Sequence, residues 1–220
     1  MVTQEDREDE PILIIGLTGS IGMGKSTVAK MMEASGIPVH DSDVAVHELM
    51  QPDGKANPAI GALFPEAYDK ASNEINRQIL GRIVFSDPEK KKQLEYILHP
   101  LVRESQQEFL NKNRARGAQM AVLDIPLLFE TDADKRLDVT LVVSAGSEIQ
   151  RQRVMARPNM TEEKFEAILE SQMPDEEKQS RADFVIDTSC SEEETKEIVA
   201  NIITELQNRK HTYEHRHIPS

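Results

Sequence analysis

The sequence predicts a three-layer α/β/α fold in which a five-stranded parallel sheet lies between layers of helices. The first observation is a set of five short apolar segments, which suit strands buried within a sheet. The second is a strand, a glycine-rich loop, a helix and another strand in succession near the N-terminus, which is the pattern of a βαβ unit. The predicted strands are Ile12–Leu17, Ile37–His40, Met120–Asp124, Val139–Val143 and Phe184–Asp187.

Helices are predicted for most of the remaining chain. Lys25–Ala34 is expected to be the first helix, and Glu192–Gln207 a closing amphipathic helix. Between the second and third strands, residues 44–117 show helical periodicity and no convincing strand, which indicates a helical insertion into the sheet domain. Within this insertion, Pro88 and Pro100 are each expected to open a helix.

Composition limits the classes of function. The chain has 220 residues and a net charge of −13, so it repels phosphate at long range and is not expected to bind nucleic acid or an anionic membrane in general. Its single cysteine, Cys190, excludes an intramolecular disulfide and favours a reducing compartment. No apolar run approaches the roughly 20 residues of a transmembrane helix, and the acidic N-terminus does not suit a signal peptide. We therefore expect a cytoplasmic protein.

The segment Gly19–Ser26 carries the clearest motif of the sequence. It matches G-x-x-x-x-G-K-[ST], the P-loop, at every required position. Glycines allow the positive φ angles that turn successive backbone N–H groups inward, and the following helix N-terminus adds to this anion cradle. Lys25 is expected to contact the β- and γ-phosphates, Ser26 to ligate Mg²⁺, and Thr27 to reach the α-phosphate. The motif therefore predicts a nucleoside triphosphate site and a fold of the P-loop type.

Two other interpretations of this motif are weaker. A chance match in a glycine-rich turn does not explain why a buried strand precedes the loop and a helix follows it. A switch GTPase would be expected to carry D-x-x-G, which occurs nowhere in the chain, and [NT]-K-x-D, whose last position is missing from Asn111–Arg114. A regulatory GTPase is therefore not expected.

Further segments, taken in order, resemble the dephospho-CoA kinase family. Single segments such as His-Pro are weak, but six in the family's order are specific together, and the resemblance covers about Ile12–Gln207. His40, Asn76 and Thr188–Ser189 depart from the family pattern. The similar segments are Ile15–Thr27, Gly36–Asp43, Asn76–Phe85, Leu98–Pro100, Asp124–Glu130, and Gln150–Arg157 continued by Gln172 and Ala182–Asp187.

The resemblance implies an enzyme that transfers the ATP γ-phosphoryl group to the ribose 3′-hydroxyl of dephospho-CoA, giving coenzyme A and ADP. The implied partners are ATP with Mg²⁺ and dephospho-CoA, and the chain is expected to be a monomer or a weak homo-oligomer. The implied catalytic residues are Asp43, Lys25 and Arg153; the ATP-binding residues Gly22, Met23, Gly24, Lys25, Ser26, Thr27 and Arg157; the substrate-binding residues Asp43, Arg77, His99, Pro126 and Leu127; and the metal ligands Ser26 and Asp124.

Two of these carboxylates lie at or just beyond the ends of predicted strands. Asp43 and Asp124 are expected at the carboxyl edge of the sheet, where ligands of open α/β sheets bind. Asp43 is the candidate to accept the hydroxyl proton, and Asp124 resembles the acid that holds Mg²⁺ directly or through water. The alternative for Asp41 and Asp43 is N-capping of the next helix, and for Asp124 a plain loop carboxylate.

Basic residues complete the implied site. Arg153 and Arg157 are four residues apart, so they are expected on one helix face as a phosphate clamp of a closing lid. The alternative is that they pair with nearby acids such as Glu148 or Glu162. Arg77 suits bidentate binding of a substrate oxyanion or else lies on a solvated helix face. His99 is a candidate hydrogen-bond donor to the substrate. The alternative is a histidine near a helix start whose hydrogen bonds are made within the protein.

The predicted organisation follows from the sheet, the insertion and the resemblance. Two other functions remain open, namely another kinase of the nucleoside-monophosphate kinase group and a non-catalytic P-loop sensor. The predicted regions are a nucleotide-binding core of residues 11–43, 118–150 and 183–208, a helical acceptor-binding insertion of 44–117, a small helical lid of 151–182, and flexible termini of 1–10 and 209–220.

Overall fold

A computed structural model describes the backbone of residues 12–213 and the side chains of residues 12–208. The chain divides into two compact units. We call residues up to His40 together with those from Lys112 onward the core unit, and Asp41–Asn111 the inserted unit. The roles predicted for the acceptor-binding insertion and for the lid stay predictions.

The core unit is built on a five-stranded parallel sheet, as the sequence predicted, with strand order β2-β5-β1-β6-β7. The inserted unit adds one two-stranded antiparallel hairpin, β3–β4, which the sequence did not indicate. The strands are β1 (Leu13–Thr18), β2 (Val39–Asp41), β3 (Tyr68–Asp69), β4 (Glu74–Ile75), β5 (Met120–Asp124), β6 (Val139–Ser144) and β7 (Phe184–Asp187).

Helices fill most of the other described segments, with short 3₁₀ turns at Pro65–Ala67 and Ala133–Arg136. Among the described helices, none is long and apolar enough to cross a membrane. The α-helices are α1 (Lys25–Ala34), α2 (Ser42–Leu49), α3 (Asn57–Leu63), α4 (Arg77–Ser86), α5 (Pro88–Ala115), α6 (Ser147–Met155), α7 (Glu162–Glu170), α8 (Asp175–Arg181) and α9 (Glu192–Tyr213).

The centre of the sheet is covered on both faces. Every residue of β1, β5 and β6 is buried, which is what continuous apolar strands require. Helices α1 and α9 pack against each other, and α9 also packs against β7. Gly16 in β1 allows a close approach, since a Cβ there would lie 2.2 Å from Leu137 Cδ1. This packing holds the end of β1, and thus the loop that follows it, in a fixed position.

The inserted unit has its own apolar cluster, which includes Leu49, Ile60, Phe64 and Leu98. A buried asparagine supports it from inside, because Asn57 Nδ2 donates to the carbonyl oxygen of Met50 at 3.2 Å. The same Nδ2 group also donates to the carbonyl oxygen of Asn73 at 3.1 Å, so both of its hydrogens are used. The inserted unit therefore has a packed hydrophobic core of its own.

Two helix predictions were wrong. Pro100 does not open a helix, because α5 runs without interruption from Pro88 to Ala115 with Pro100 inside it. A proline removes only one backbone donor, and the apolar face that continues on both sides, with Leu98 buried before it and Leu110 buried after it, keeps the helix together.

The closing helix is also longer than expected, because α9 ends at Tyr213 and not at Gln207. The predicted flexible terminus 209–220 is thus helical in its backbone up to Tyr213. The rest of that segment and the other predicted flexible terminus, 1–10, lie outside the described residues.

Candidate active site

The P-loop adopts the backbone geometry that its glycines predicted. Gly22 has φ +81° and Gly24 has φ +91°, in the region that side chains rarely enter. Gly24 is the N-cap residue of α1, and the N–H of Thr27 donates back to the carbonyl oxygen of Gly24 at 3.0 Å. The loop therefore leads directly into a helix N-terminus, where backbone N–H groups favour bound anions.

Lys25 and Asp124 lie together at the mouth of this loop. Lys25 Nζ forms an ion pair with Asp124 Oδ1, and the two side chains are 17% and 4% exposed. Asp124 is the last residue of β5 and is aligned with Leu17 of the neighbouring β1, which explains why the two elements bring these groups together. Ser26, in the first turn of α1, is exposed. The structure thus groups Lys25, Ser26 and Asp124, three of the predicted residues, around one helix start.

Two glutamine side chains form hydrogen bonds with the backbone of Ile21 at the tip of the P-loop. Gln150 Nε2 donates to the carbonyl oxygen of Ile21 at 2.8 Å, and the N–H of Ile21 donates to Gln172 Oε1 at 3.1 Å. Both polar groups of the Ile21 backbone are thereby satisfied by side chains from distant parts of the sequence. Neither glutamine was among the predicted site residues. Their presence in the segments that carry the family resemblance was the one available signal.

The helix face that Arg153 and Arg157 were expected to share is not formed, and their binding of phosphate stays a prediction. Arg153 lies on α6, but Arg157 lies beyond its end at Met155, so the two do not share a helix face. The alternative of acid pairing is also wrong for Arg153, since Arg151 and not Arg153 pairs with Glu162. The two arms of Arg153 donate instead to the oxygen atoms of Thr188. A helix that ends two residues early removes the periodicity on which the clamp depended.

The loop after β5 contains Pro126 and Leu127, which were predicted to bind the phosphoryl acceptor. Side-chain contacts hold this loop at both of its ends. Thr18 Oγ1 donates to the carbonyl oxygen of Pro126 at 3.1 Å. At the other end, Glu130 Oε1 accepts from the N–H of Met173 at 2.8 Å and lies 3.0 Å from Lys178 Nζ. Lys178 is fully buried, whereas the Glu130 side chain is 18% exposed.

The asymmetry of the Glu130–Lys178 pair predicts unequal losses of stability. Glu130→Gln leaves a charged amine fully buried without a counter-charge, and should lower the free energy of unfolding by about 3 kcal/mol. Lys178→Met leaves a carboxylate that still accepts from Met173, on a side chain that is not fully buried, and should cost about 1 kcal/mol. Urea denaturation measures both. The exposed Lys92–Glu89 pair is the control, and Lys92→Met should leave the midpoint of urea unfolding close to that of the wild type. Equal losses at Glu130 and Lys178 would contradict the argument.

In the inserted unit, Asp41 at the end of β2 and Asp43 just beyond it have different surroundings. Asp41 is the N-cap of α2, and its Oδ1 accepts from the N–H groups of Asp43 and Val44 at 2.8 and 3.0 Å. The capping alternative is therefore confirmed for Asp41. Asp43 lies in the first turn of α2 and is exposed. Its carboxylate does not take the capping role and faces the same side of the helix as residue 47, one turn further on.

Arg77 is brought to that same face of α2. Its Nη1 lies 2.7 Å from His47 Nδ1, and because a guanidinium can only donate, Nδ1 of the histidine is the acceptor. His47 was not among the predicted residues, although its spacing of four from Asp43 could have indicated it. His99 is exposed on α5. The structure thus places Arg77 against His47, the residue one helical turn beyond Asp43.

Asn76, which departs from the family pattern, caps α4. Its side-chain oxygen accepts from the N–H groups of Gln78 and Ile79, both at 3.1 Å. Asparagine and aspartate are similarly good N-caps, so this departure leaves the start of the helix intact. Arg77 is the first residue of α4 and is therefore held by a capped helix end.

Comparison with known proteins gives consistent matches. A family model described as dephospho-CoA kinase matches residues 13–194. A protein named dephospho-CoA kinase from Rhizobium etli is 54% identical over 198 residues, which are 90% of this chain and 96% of that protein. Another with the same name from Mesorhizobium japonicum is 50% identical over 199 residues, 90% of this chain and 99% of that protein. These matches span both the core unit and the inserted unit.

A solved structure agrees with them. The structure described as dephospho-CoA kinase from Campylobacter jejuni has a TM-score of 0.68 at 28% identity, and the match covers 89% of this chain and 97% of that one. The similarity extends over nearly the full length of the two proteins.

Proposed function

This chain belongs to the dephospho-CoA kinase family, and we propose that it carries out the family's reaction, transfer of the ATP γ-phosphoryl group to the ribose 3′-hydroxyl of dephospho-CoA. The observation that supports this proposal most directly is the P-loop of the core unit with Lys25 and Asp124 paired at its mouth. Phosphoryl transfer depends on positioning and on neutralisation of charge, and this loop supplies N–H donors and a cation for both.

The donor half of the reaction is assigned to the core unit. The backbone from Gly22 to Thr27 binds the ATP phosphates, and Lys25 exchanges its contact with Asp124 for the β- and γ-phosphates. Arg153 and Arg157 approach the same phosphates from the segment around the end of α6. In this assignment the positive charges gather locally within a chain whose net charge is −13.

Magnesium fits the donor set at the mouth of the loop. The Ser26 hydroxyl and the Asp124 carboxylate are hard oxygen ligands, and Mg²⁺ is commonly held by one or two such groups while it keeps several waters. A larger cluster is not required, and among residues 12–208 no group of three or more His, Cys, Asp or Glu side chains is placed to hold a metal. When bound with ATP, the ion would neutralise charge on the β- and γ-phosphate oxygens.

We assign acceptor binding to Asp43 and Arg77 of the inserted unit and, separately, to Pro126 and Leu127 of the core unit. Asp43 accepts the proton of the 3′-hydroxyl as the oxygen attacks phosphorus. Arg77 binds an anionic group of the substrate, which suits the planar fork of a guanidinium. His99 donates to the same substrate. The exposure of Asp43 and Arg77 supports this assignment, because both side chains are accessible to a ligand.

A coupled assay for ADP release tests the proposed activity. Dephospho-CoA, AMP and CMP are offered as acceptors under the same concentrations of ATP and MgCl₂. Dephospho-CoA is expected to be preferred by at least about 100-fold in kcat/KM, since specific contacts to a polar acceptor give large discrimination. Phosphorus NMR of the product distinguishes the 3′-phosphate from other isomers. A preference for AMP or CMP would overturn the proposal.

Location and assembly belong to the same proposal. We propose a cytoplasmic enzyme that is a monomer or a weak homo-oligomer. The single cysteine and the acidic surface support the first part. Sedimentation velocity over a range of protein concentrations tests the second part, and a stable higher oligomer at the lowest concentration would contradict it.

A further inference from the structure

A chain of hydrogen bonds through Thr188 joins Arg153 to the backbone of the P-loop. Arg153 Nη1 donates to Thr188 Oγ1 at 3.0 Å, and Arg153 Nη2 donates to the Thr188 carbonyl oxygen at 2.6 Å. The Thr188 hydroxyl donates in turn to the carbonyl oxygen of Met23 at 2.7 Å. One residue thus receives both arms of the guanidinium and passes a hydrogen bond on to the loop.

Thr188 is itself held in a fixed position. It is buried, and its N–H donates to the carbonyl oxygen of Ser144 at 2.8 Å, directly beyond the paired ends of β6 and β7. Its hydroxyl also packs against the P-loop, since a Cβ at Gly24 would lie only 2.9 Å from Thr188 Oγ1. The absence of a side chain at Gly24 is therefore what lets this hydroxyl reach Met23.

The chemistry of the hydroxyl sets the direction of these bonds. A threonine hydroxyl has one hydrogen to donate, and of the two carbonyl oxygens within reach, that of Met23 at 2.7 Å is a better acceptor than that of Ser144 at 3.4 Å. The lone pairs of Oγ1 then remain for Arg153, which can only donate. A β-branched side chain also has restricted rotation about χ1, so the hydroxyl stays in place without the guanidinium.

We propose that Thr188 is a positioning residue for phosphoryl transfer, whose hydroxyl is held in place by its hydrogen bond to Met23 and orients the Arg153 guanidinium. The inference rests on the proposed role of Arg153 at the ATP phosphates. Two N–H groups of Arg153 are used by Thr188, and the remaining donors are left to contact phosphate oxygens. Such an arrangement matters because a misplacement of about 1 Å can lower a rate by roughly 100-fold.

Two matched pairs of substitutions test the role of the Thr188 hydroxyl. For each variant, kcat, KM for ATP and thermal unfolding are measured. Thr188→Val retains the branched shape without the oxygen, and Thr188→Ser retains the oxygen without the methyl group. We expect Thr188→Val to lower kcat on the order of tenfold and Thr188→Ser to stay within about twofold of the wild type. Thr188→Ala, compared with Thr188→Ser, gives the same test if Thr188→Val does not fold.

A double-mutant cycle with Arg153→Ala separates positioning from support of the fold. Groups that act as one unit have non-additive effects, so Thr188→Val should change kcat by less than about twofold when Arg153 is already alanine. A full tenfold loss in that background would overturn the inference, and so would equal losses for the serine and alanine variants. If Arg153→Ala alone retained wild-type kcat, the proposed role of Arg153 would fail. A wild-type enzyme inactive on dephospho-CoA would overturn the proposed function itself.

Discussion

Replacement of Lys25 by methionine is expected to lower kcat for dephospho-CoA by roughly 100- to 1000-fold, the range found when one preorganised charge or donor is removed from a transition state. Methionine has a similar length and fills the same space without the ammonium. The transferred group spreads negative charge over its oxygens, and Lys25 begins α1 at the point where the P-loop turns into the helix. KM for ATP should rise by a smaller factor, because the backbone N–H groups of the loop remain.

The same change affects stability, which must be measured separately. Asp124 is 4% exposed and loses its ion pair with Lys25, so the free energy of unfolding should fall by about 2 kcal/mol. Lys30→Met is the control, since Lys30 is an exposed residue of the same helix. It should leave kcat within about twofold of the wild type and stability within about 0.5 kcal/mol. A similar loss of kcat for both variants would show that general charge, and not the position of Lys25, matters.

The parts of the fold that could be predicted from the sequence are those governed by local pattern. Met120–Asp124 and Phe184–Asp187 form strands with the predicted bounds, and Lys25–Ala34 forms the predicted helix. Unbroken apolar segments and a glycine that stops a helix are signals contained in a few adjacent residues. Gly36, with φ +83°, ends the first helix in that way. The P-loop was predictable for the same reason, because its geometry depends on glycines within eight residues.

The parts that could not be predicted depend on contacts between distant residues. Gln150 and Gln172 both reach Ile21, and nothing in the local pattern around Ile21 indicates which side chains satisfy its backbone. The two hydrogen bonds from Arg153 to Thr188 could not be predicted for the same reason, since the two residues are 35 positions apart. The shared helix face expected for Arg153 and Arg157 was wrong because the helix ends at Met155, two residues before Arg157. Helix ends are the least certain feature of a sequence pattern.

Replacement of Asp43 by asparagine is expected to lower kcat by roughly 100- to 10,000-fold, the range associated with loss of a general base, and to leave ATP affinity unchanged. Asparagine has the same shape but does not accept the hydroxyl proton at neutral pH. Asp43 is exposed in the first turn of α2, and Arg77 contacts His47 one turn further along the same helix. A single-turnover experiment with pre-bound ATP measures the chemical step, and a fluorescent ATP analogue measures nucleotide binding.

Asp41→Asn is the matched control, because Asp41 lies two residues away and also bears a carboxylate. It caps α2 by accepting from the N–H groups of Asp43 and Val44, and asparagine caps a helix nearly as well. We therefore expect kcat within about twofold of the wild type and a change in unfolding free energy below about 0.5 kcal/mol. If Asp43→Asn turned over at the wild-type rate with normal ATP binding, Asp43 would not be the base. If both variants lost activity equally, the start of α2, and not one carboxylate, would be the feature required.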